Sequence, residues 1–593
     1  MMNFELLPNE ILLDFFEYLS AIHLFYAFSS LNSRFNTLLY EQFQRFHLDF
    51  QQISKSKFND ICQNCLPSII NQSISLHLSN DDDTPQQIEL FLSHYSQFHR
   101  FIHLQSMSLT YLRSQETLNQ IMLECAQLPY LTHLTFTYCF ISMSQNDANC
   151  FVNQIWSLPN LTYCYLDICF GSESYFSNPI VISRSLRYLI IQESVRSSLT
   201  LIHLCQYTPN LQYLSTIFAV DPHQLGFSFS FLPITRLKII FNNSINMFRD
   251  LLQNMPNLYH LTWEALFIYM NGYQWEEMIK KYLLKLKIFR FKTQITPLNN
   301  EDREVQINEI VDSFRTRFWI DEHQWFVRCH WYSPDEQYHH DSIDLFTLPY
   351  TFDNFRTSDN CILAKTTCPY DDEYLICNHV ISLHCGFSDF NDSILSRVRF
   401  LNIQYLSLSL PFNNLFLSVV CKLDRLTSLS VWIYNNDAIE HIQTQLQFLL
   451  ARASRLHSLN LDSRFSSILH ALLIESTSKS IRRLNLQGCF SGKNQHCFDE
   501  EQCIQLSRFP LGKQCETLLI EVKNRRNILD LVNNMPNLQA LNVRCAENNW
   551  TDENDSVSSG HDELVEWLRE QLPSTSMITR DKYDYDKIRL WIC

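Results

Sequence analysis

Leu158-Pro159-Asn160-Leu161-Thr162-Tyr163-Cys164-Tyr165-Leu166 is the stretch on which the fold turns. Leu161 is followed at three and five residues by Cys164 and Leu166, with polar or amphipathic residues between, so the period of two predicts a short strand with one buried face. The same Leu-x-x-Leu-x-aliphatic pattern returns as LPYLTHLTF (Leu128 to Phe136), LRYLII (Leu186 to Ile191), TPNLQYLST (Thr208 to Thr216) and MPNLYHLTW (Met255 to Trp263). Farther on come LTSLSV (Leu426 to Val431), LHSLNL (Leu456 to Leu461), IRRLNL (Ile481 to Leu486) and MPNLQALNV (Met535 to Val543), with weaker copies at Leu104, Ile234 and Leu286. The first anchors Leu131, Leu161, Leu186 and Leu211 are spaced by 30, 25 and 25 residues.

That period is near the roughly 20–29 residues of leucine-rich repeats. Between the strands lie stretches with helical apolar spacing, such as Gln115 to Gln127, Ile245 to Asn254 and Ala438 to Ala453. A strand-plus-helix unit of this size buries its faces only by stacking on neighbours, which predicts an α/β solenoid. Three copies place Cys139, Cys169 and Cys489 eight residues after the first anchor, which resembles the cysteine-containing leucine-rich repeats. From about residue 293 to 400 the repeat lapses, and an irregular insertion or distorted repeats are expected on the same sheet. Within it, Arg317 to Tyr332 reads as two aromatic strands around a polar turn at Asp321 to Gln324. Leu564, Leu568 and Leu572 mark an amphipathic helix, and Ile588 to Ile592 a last strand, together capping the array.

At 593 residues the chain exceeds one compact core, and with 46% apolar and 18% charged residues it is globular in composition. Only 8 glycines are present, which argues against glycine-rich phosphate loops and dinucleotide-binding turns. A net charge of -16 disfavours nucleic-acid binding, since no global attraction to phosphate backbones exists. The first ten residues lack a basic region and contain Pro8 and two acids, unlike a signal peptide. No apolar run approaches the ~18 residues of a membrane span. The expected location is intracellular, cytoplasmic or nuclear, with the 20 cysteines as thiols, mostly buried.

The segment Phe4 to Tyr40 reads as three short helices, the first beginning at Pro8, the second over about Ala21 to Ser29 and the third over about Asn32 to Tyr40. So apolar a segment of about 40 residues cannot bury all its faces in its own bundle, which leaves apolar surface for a partner. Leu7-Pro8-Asn9-Glu10-Ile11-Leu12, then Phe16, Leu19 and Leu24, with Ser30-Leu31-Asn32-Ser33-Arg34-Phe35 downstream, resembles the F-box motif. Phe35 stands at that family's tryptophan position, and no cysteine precedes it at Leu31 or Asn32. The resemblance implies an adaptor-binding face of Leu7, Pro8, Ile11, Leu12, Phe16 and Leu24. The alternative use of the same helices is a cap on the open end of the solenoid.

Chemistry is sparse. Cys377-x-His379, His384-Cys385 and the lone Cys62-x-x-Cys65 lack the paired spacing of a zinc site. Gly488 to Lys493 has one residue too few between its glycines for a phosphate loop, and no serine-hydrolase or metalloprotease motif occurs. No catalytic residue, metal or cofactor is expected. The informative positions lie between anchors, on the face away from the core. Two residues after the first anchor stand His133, Tyr163, Tyr188, Tyr213, Arg236 and His260, and the neighbouring column reads Thr135, Tyr165, Ile190, Ser215, Lys238 and Thr262. Tyr163, Tyr165, Tyr188 and Tyr213 are candidate substrate-binding residues, since tyrosine offers apolar area and a hydroxyl at low entropic cost.

The expected organisation is an F-box over residues 1–48, a linker into the first irregular repeats over 49–100, repeats over 101–292 and the insertion over 293–400. Repeats resume over 401–546, followed by a polar loop over 547–562 and the cap over 563–593. The resemblance implies a substrate-recognition subunit of an SCF-type ubiquitin ligase. Its partners would be a Skp-family adaptor, through it a cullin scaffold, and a protein substrate, with no nucleic acid or membrane. The competing reading is a non-ligase binding scaffold or sensor whose helices only cap the array.

Overall fold

The computed structural model describes the chain apart from residues 1–3, 30, 44, 96–97, 172–175, 177, 220–229, 243, 298–301, 334–339, 358–360, 371–376, 386–397, 413–415, 434–438, 464–465, 489–496, 549–561, 582–583, 585 and 593. Cys489, and nearly all of the polar stretch expected over 547–562, lie outside the described residues. The chain forms two units, one of Met1–Trp263 with Lys281–Leu286 and Cys593, the other of Glu264–Lys280 with Lys287–Ile592. Among the described residues, no helix is long and apolar enough to cross a membrane.

The first unit opens with α1 (Asn9–Phe16), α2 (Ala21–Phe28) and α3 (Ser33–Thr37). Ser20 and Asn32 cap the second and third through their side-chain oxygens. Nine strands follow: β1 (Phe46–Asp49), β2 (Ser73–Ser79), β3 (Ser106–Thr110), β4 (His133–Phe140), β5 (Tyr163–Cys169), β6 (Tyr188–Val195), β7 (Tyr213–Phe218), β8 (Arg236–Phe241) and β9 (His260–Leu266). They stand side by side in sequence order, and the pairings from β1 to β8 are parallel. Parallel neighbours need a crossover, and helices Gln115–Cys125, Gln145–Trp156, Ser198–Gln206 and Ile245–Gln253 supply four of them. Each of these starts on a serine cap: Ser114, Ser144, Ser197 and Ser244.

The anchors do what their spacing implies. Leu131, Leu134 and Phe136, Leu161, Cys164 and Leu166, and Leu258, Leu261 and Trp263 are all buried. Phe136 meets Phe151 of the following helix at 5.6 Å, and Trp263 stacks on Phe248 at 5.4 Å, so the apolar face of the sheet lies against the helices. Each fully buried Leu or Phe contributes about 1.5–3 kcal/mol, and the ladder repeats that gain at every rung.

A second regularity stitches the repeats together. One carbonyl at each rung accepts two successive amides from the next repeat: Thr162 from Arg187 and Tyr188, Arg187 from Gln212 and Tyr213, Gln212 from Thr235 and Arg236, and Thr235 from Tyr259 and His260. The Asn of each Pro-Asn-Leu turn then ties back to the preceding turn. Asn160 Nδ2 donates to the Pro129 carbonyl, Asn210 Nδ2 to Arg184 and Asn257 Nδ2 to Leu232, at 2.7, 2.7 and 2.9 Å. Thr132, Thr162 and Thr235 add hydroxyl bonds to the carbonyls of Gln105, Thr132 and Gln212. This unit is a leucine-rich-repeat-like solenoid.

In the second unit, β10 (Ile288–Ile295), β11 (Val327–Tyr332), β12 (Ser342–Thr347) and β14 (Cys361–Thr366) pair antiparallel in the order β10-β12-β11-β14, with β13 (Asn354–Thr357) belonging to a second sheet. The aromatic run expected as two strands over Arg317 to Tyr332 is corrected here. Phe318–Glu322 forms a helical turn of π type, and only the second half is a strand, paired with β12. The reason is packing: the Trp319 indole donates to the Gly272 carbonyl at 3.1 Å, and Phe314, Trp319 and Phe289 gather in one cluster. Those rings turn inward together instead of alternating across a pleat.

The second sheet runs from β13 through β15 (Ser382–Cys385), β16 (Tyr405–Leu410), β17 (Ser428–Ile433), β18 (Ser458–Ser463), β19 (Arg483–Asn485), β20 (Thr517–Val522) and β21 (Ala540–Cys545), all parallel. The shared-carbonyl rung recurs here, with Gln404 accepting from Thr427 and Ser428 and Thr427 from His457 and Ser458. Helix Ile439–Arg452 carries the apolar stripe read over Ala438 to Ala453. The ladder ends on β22 (Met577–Arg580) and β23 (Lys587–Trp591), both antiparallel to their neighbours. Helix Glu563–Gln571 buries Leu564 and Leu568 beside them, while β22 was not legible in the sequence.

Candidate functional site

Two surfaces of the first unit carry the residues singled out above. On the N-terminal module, Leu12, Phe16 and Leu24 have no exposed surface at all. Phe16 lies 5.0 Å from Phe28 and 5.8 Å from Phe43, and Phe25 stacks on Phe46 of β1 at 5.6 Å. These side chains hold the helices to one another and to the edge of the sheet. Assigning Leu12, Phe16 and Leu24 to an adaptor-contacting face is therefore corrected: a helical stripe is apolar whether it meets a partner or its own bundle. Pro8 and Ile11 are exposed and Leu7 is half-buried. Around them stand Leu6, Phe15 and Tyr18, also exposed, so an apolar strip does remain on the outside of the module.

The Leu7-Pro8 segment is held in place by a residue to which the sequence reading gave no role. The Arg34 guanidinium donates from Nε and Nη2 to Asn9 Oδ1 at 2.9 and 2.7 Å, and to the carbonyls of Leu7 and Glu5, both at 2.5 Å. Asn32 adds a bond from Nδ2 to Glu5 Oε1 at 3.0 Å. A planar five-donor fork suits this clamp, and a lysine would not reproduce it.

The second surface is the sheet face opposite the helices. Register places His133, Tyr163, Tyr188, Tyr213 and Arg236 in one row of direct strand neighbours. The shared carbonyl of Thr235 puts His260 next in that row. Thr135, Tyr165, Ile190, Ser215 and Lys238 form the second row. His133 stacks on Tyr163 at 5.4 Å, and Tyr188 meets Tyr213 at 6.2 Å. Burial pushes the Tyr163 hydroxyl up, with Tyr213 and Cys164 adding to it. Burial likewise raises that of Tyr165, with Asp167 and Tyr138 adding and a hydrogen bond from Gln192 opposing. The four tyrosines are thus brought together on one face.

At the start of β8 and β9 a cleft of about 410 Å³ opens, lined by Leu232, Thr235, Arg236, Asn257, Tyr259 and Lys285. Lys285 Nζ donates to Asn257 Oδ1 there at 2.6 Å. The cysteines of the expected ladder diverge: Cys139 is buried and Cys169 exposed. Burial also raises the thiols of Cys62 and Cys65, which share the turn Ile61–Cys65. Among the described residues no group of three or more His, Cys, Asp or Glu is placed to hold a metal ion.

No protein-family profile matches the chain, and no curated protein does. Solved structures similar to it include an internalin from Listeria monocytogenes, at 11% identity and a TM-score of 0.19, covering 82% of this chain and 92% of that one. Another is TLR13 in complex with ssRNA13, at 12% identity and a TM-score of 0.25, covering 78% of this chain and 59% of that one. The solenoid assignment rests on the chain's own ladder of paired strands and buried anchors.

Proposed function

We propose that the chain is the substrate-recognition subunit of an SCF-type ubiquitin ligase, its N-terminal helices binding a Skp-family adaptor and its solenoid holding a protein substrate. The observation that carries this reading is the Leu7-Pro8-Asn9-Glu10-Ile11 segment, clamped by Arg34 with Pro8 and Ile11 left exposed. Such a segment costs free energy to expose unless something covers it, and Leu6, Phe15 and Tyr18 extend the exposed apolar strip. The chain would itself make or break no bond, and its contribution would be to hold substrate near a ubiquitin-charged enzyme through the cullin scaffold. Tyr163, Tyr165, Tyr188 and Tyr213 are the proposed substrate-contacting residues.

One observation favours the second reading, a binding scaffold whose helices only cap the array: Phe25 stacks on Phe46 of the first strand, so the helices do cover the sheet edge. Capping uses the buried stripe and adaptor binding the exposed one, so a single experiment separates them. Co-purification with a Skp-family adaptor is measured for the intact chain and for a Pro8→Ala/Ile11→Asp variant, in which only exposed positions change. Capture by the first and loss in the second supports the ligase reading. Failure of the folded intact chain to capture the adaptor leaves the scaffold.

A further inference from the structure

We propose that the open face of the first unit takes an acidic segment of a partner protein, its carboxylates meeting Arg236 and Lys238 while apolar side chains beside them lie along the tyrosine row. The proposal rests on the reading of that face as the partner-holding surface and adds the charge of the occupant.

Charge distribution is the first argument. The chain has 62 acidic residues against 46 lysines and arginines. Yet between the third and ninth strands neither row of the open face contains an Asp or Glu. In these two rows Arg236 and Lys238 stand two residues apart on β8, so both point to the open side; Asp167 lies on the same face, one step beyond Tyr165 on β5. Arg236 is exposed and Lys238 half-exposed, and neither forms an ion pair with any described residue.

In a chain of net charge -16, an acidic segment is repelled by most of the surface. Arg236 and Lys238 offer it a local attraction, which fixes position more than it adds affinity. The flanking chemistry completes the site. Tyr213 on one side offers a ring, Thr262 offers a hydroxyl, and the adjoining cleft brings Lys285, held by Asn257, within reach of a further carboxylate.

The test uses the full-length chain and a fluorescein-labelled copolymer of glutamate and tyrosine, with binding read by anisotropy at low and at physiological salt. Wild type is expected to bind, more weakly as salt rises, and Arg236→Glu/Lys238→Glu to bind at least about tenfold more weakly, the loss expected for removing about 1.4 kcal/mol of attraction. Lys422→Glu/Arg455→Glu, which reverses two exposed cations of the second unit, is expected to bind as wild type does. Arg236→Gln/Lys238→Gln, with an unfolding midpoint recorded for each variant, keeps the comparison valid if the reversal disturbs folding. Equal losses in both reversed variants, no loss in the face variant, or no binding by wild type would each overturn the proposal. Adaptor capture is scored on the same samples. Because it depends on the N-terminal helices, its failure sinks the ligase reading alone.

Discussion

Arg34 grips Asn9 across 25 residues of chain, Nε and Nη2 both donating to the single amide oxygen Oδ1. The same guanidinium also takes the backbone carbonyls of Leu7 and Glu5, so four bonds fix the approach to α1. Arg34→Gln is expected to loosen that approach and to weaken adaptor capture by about tenfold or more, since bonds to a charged donor contribute about 1.5–3 kcal/mol each. Asn9→Ala should give a smaller loss, and the double variant little beyond Arg34→Gln alone. Capture by Arg34→Gln at wild-type strength would remove the clamp from the adaptor reading.

The asparagine ties predict a stability effect confined to the stacking of repeats. Replacing Asn160, Asn210 and Asn257 together by alanine removes three bonds between consecutive turns. At about 0.5–1.5 kcal/mol per bond, urea unfolding should shift by about 1.5–4.5 kcal/mol in total. Asn64→Ala, which removes one exposed bond within a single helical segment, should change little. A triple variant as stable as wild type would mean the backbone rungs alone set the stacking.

Gly272 predicts the sharpest response to one added carbon. A Cβ there would stand 2.1 Å from the Ser313 carbonyl oxygen, while the Gly272 amide donates to Ser313 Oγ at 2.8 Å. Backbone atoms cannot give way as a flexible side chain does. Gly272→Ala is expected to destabilise the second unit by about 3 kcal/mol or more and to change near-ultraviolet dichroism, because Trp319 bonds to the same residue. An unchanged unfolding midpoint would contradict this account.

Buried His330 predicts a pH dependence. Its Nε2 accepts from Arg328 Nε at 2.8 Å, so its proton sits on Nδ1, 3.2 Å from the Tyr332 hydroxyl. Burial and then the Arg328 charge hold the imidazole well below 6.5. As pH falls through 6.5 the unfolded chain takes up a proton that the folded one refuses, so stability falls. Asp344, opposite His330 on β12, works the other way. Burial pushes its carboxyl up to about 6 from 3.8, against Lys292 and Arg356, so below about pH 6 the folded chain takes the proton first and recovers part of the loss. Between about pH 7.5 and about 6, wild type should lose stability more steeply than His330→Gln, by up to ~1.4 kcal/mol per pH unit. Parallel thermal-midpoint curves for the two would exclude His330 as the cause.

What the sequence made legible follows from where its constraints are local. A sheet with one dry face imposes a period of two, so Leu161, Cys164 and Leu166 could be read as buried, and the row of Tyr163, Tyr188 and Tyr213 followed from aligning those anchors. Phe318 and Trp319 misled because aromatic residues favour strands locally, while their position here is decided by packing against Phe289 and Gly272. Leu12, Phe16 and Leu24 were legible as one apolar stripe, but not as a stripe turned toward its own bundle. Arg34 was out of reach altogether, because its partners are backbone carbonyls and an amide at sequence distances that no period encodes.

The asparagine and threonine ties all lie at the entrance of each strand, where one turn grips the previous one. That edge tolerates little change in length, since an inserted residue would break the grip on both sides. Consecutive first anchors nevertheless differ in spacing, 30 residues in one case and 25 in the next. Insertions and deletions are therefore free to accumulate only beyond the strands' far ends and along the crossovers. The first unit has a fixed hem on one side and an editable fringe on the other, and new specificities can be grafted onto the fringe without unpicking the fold.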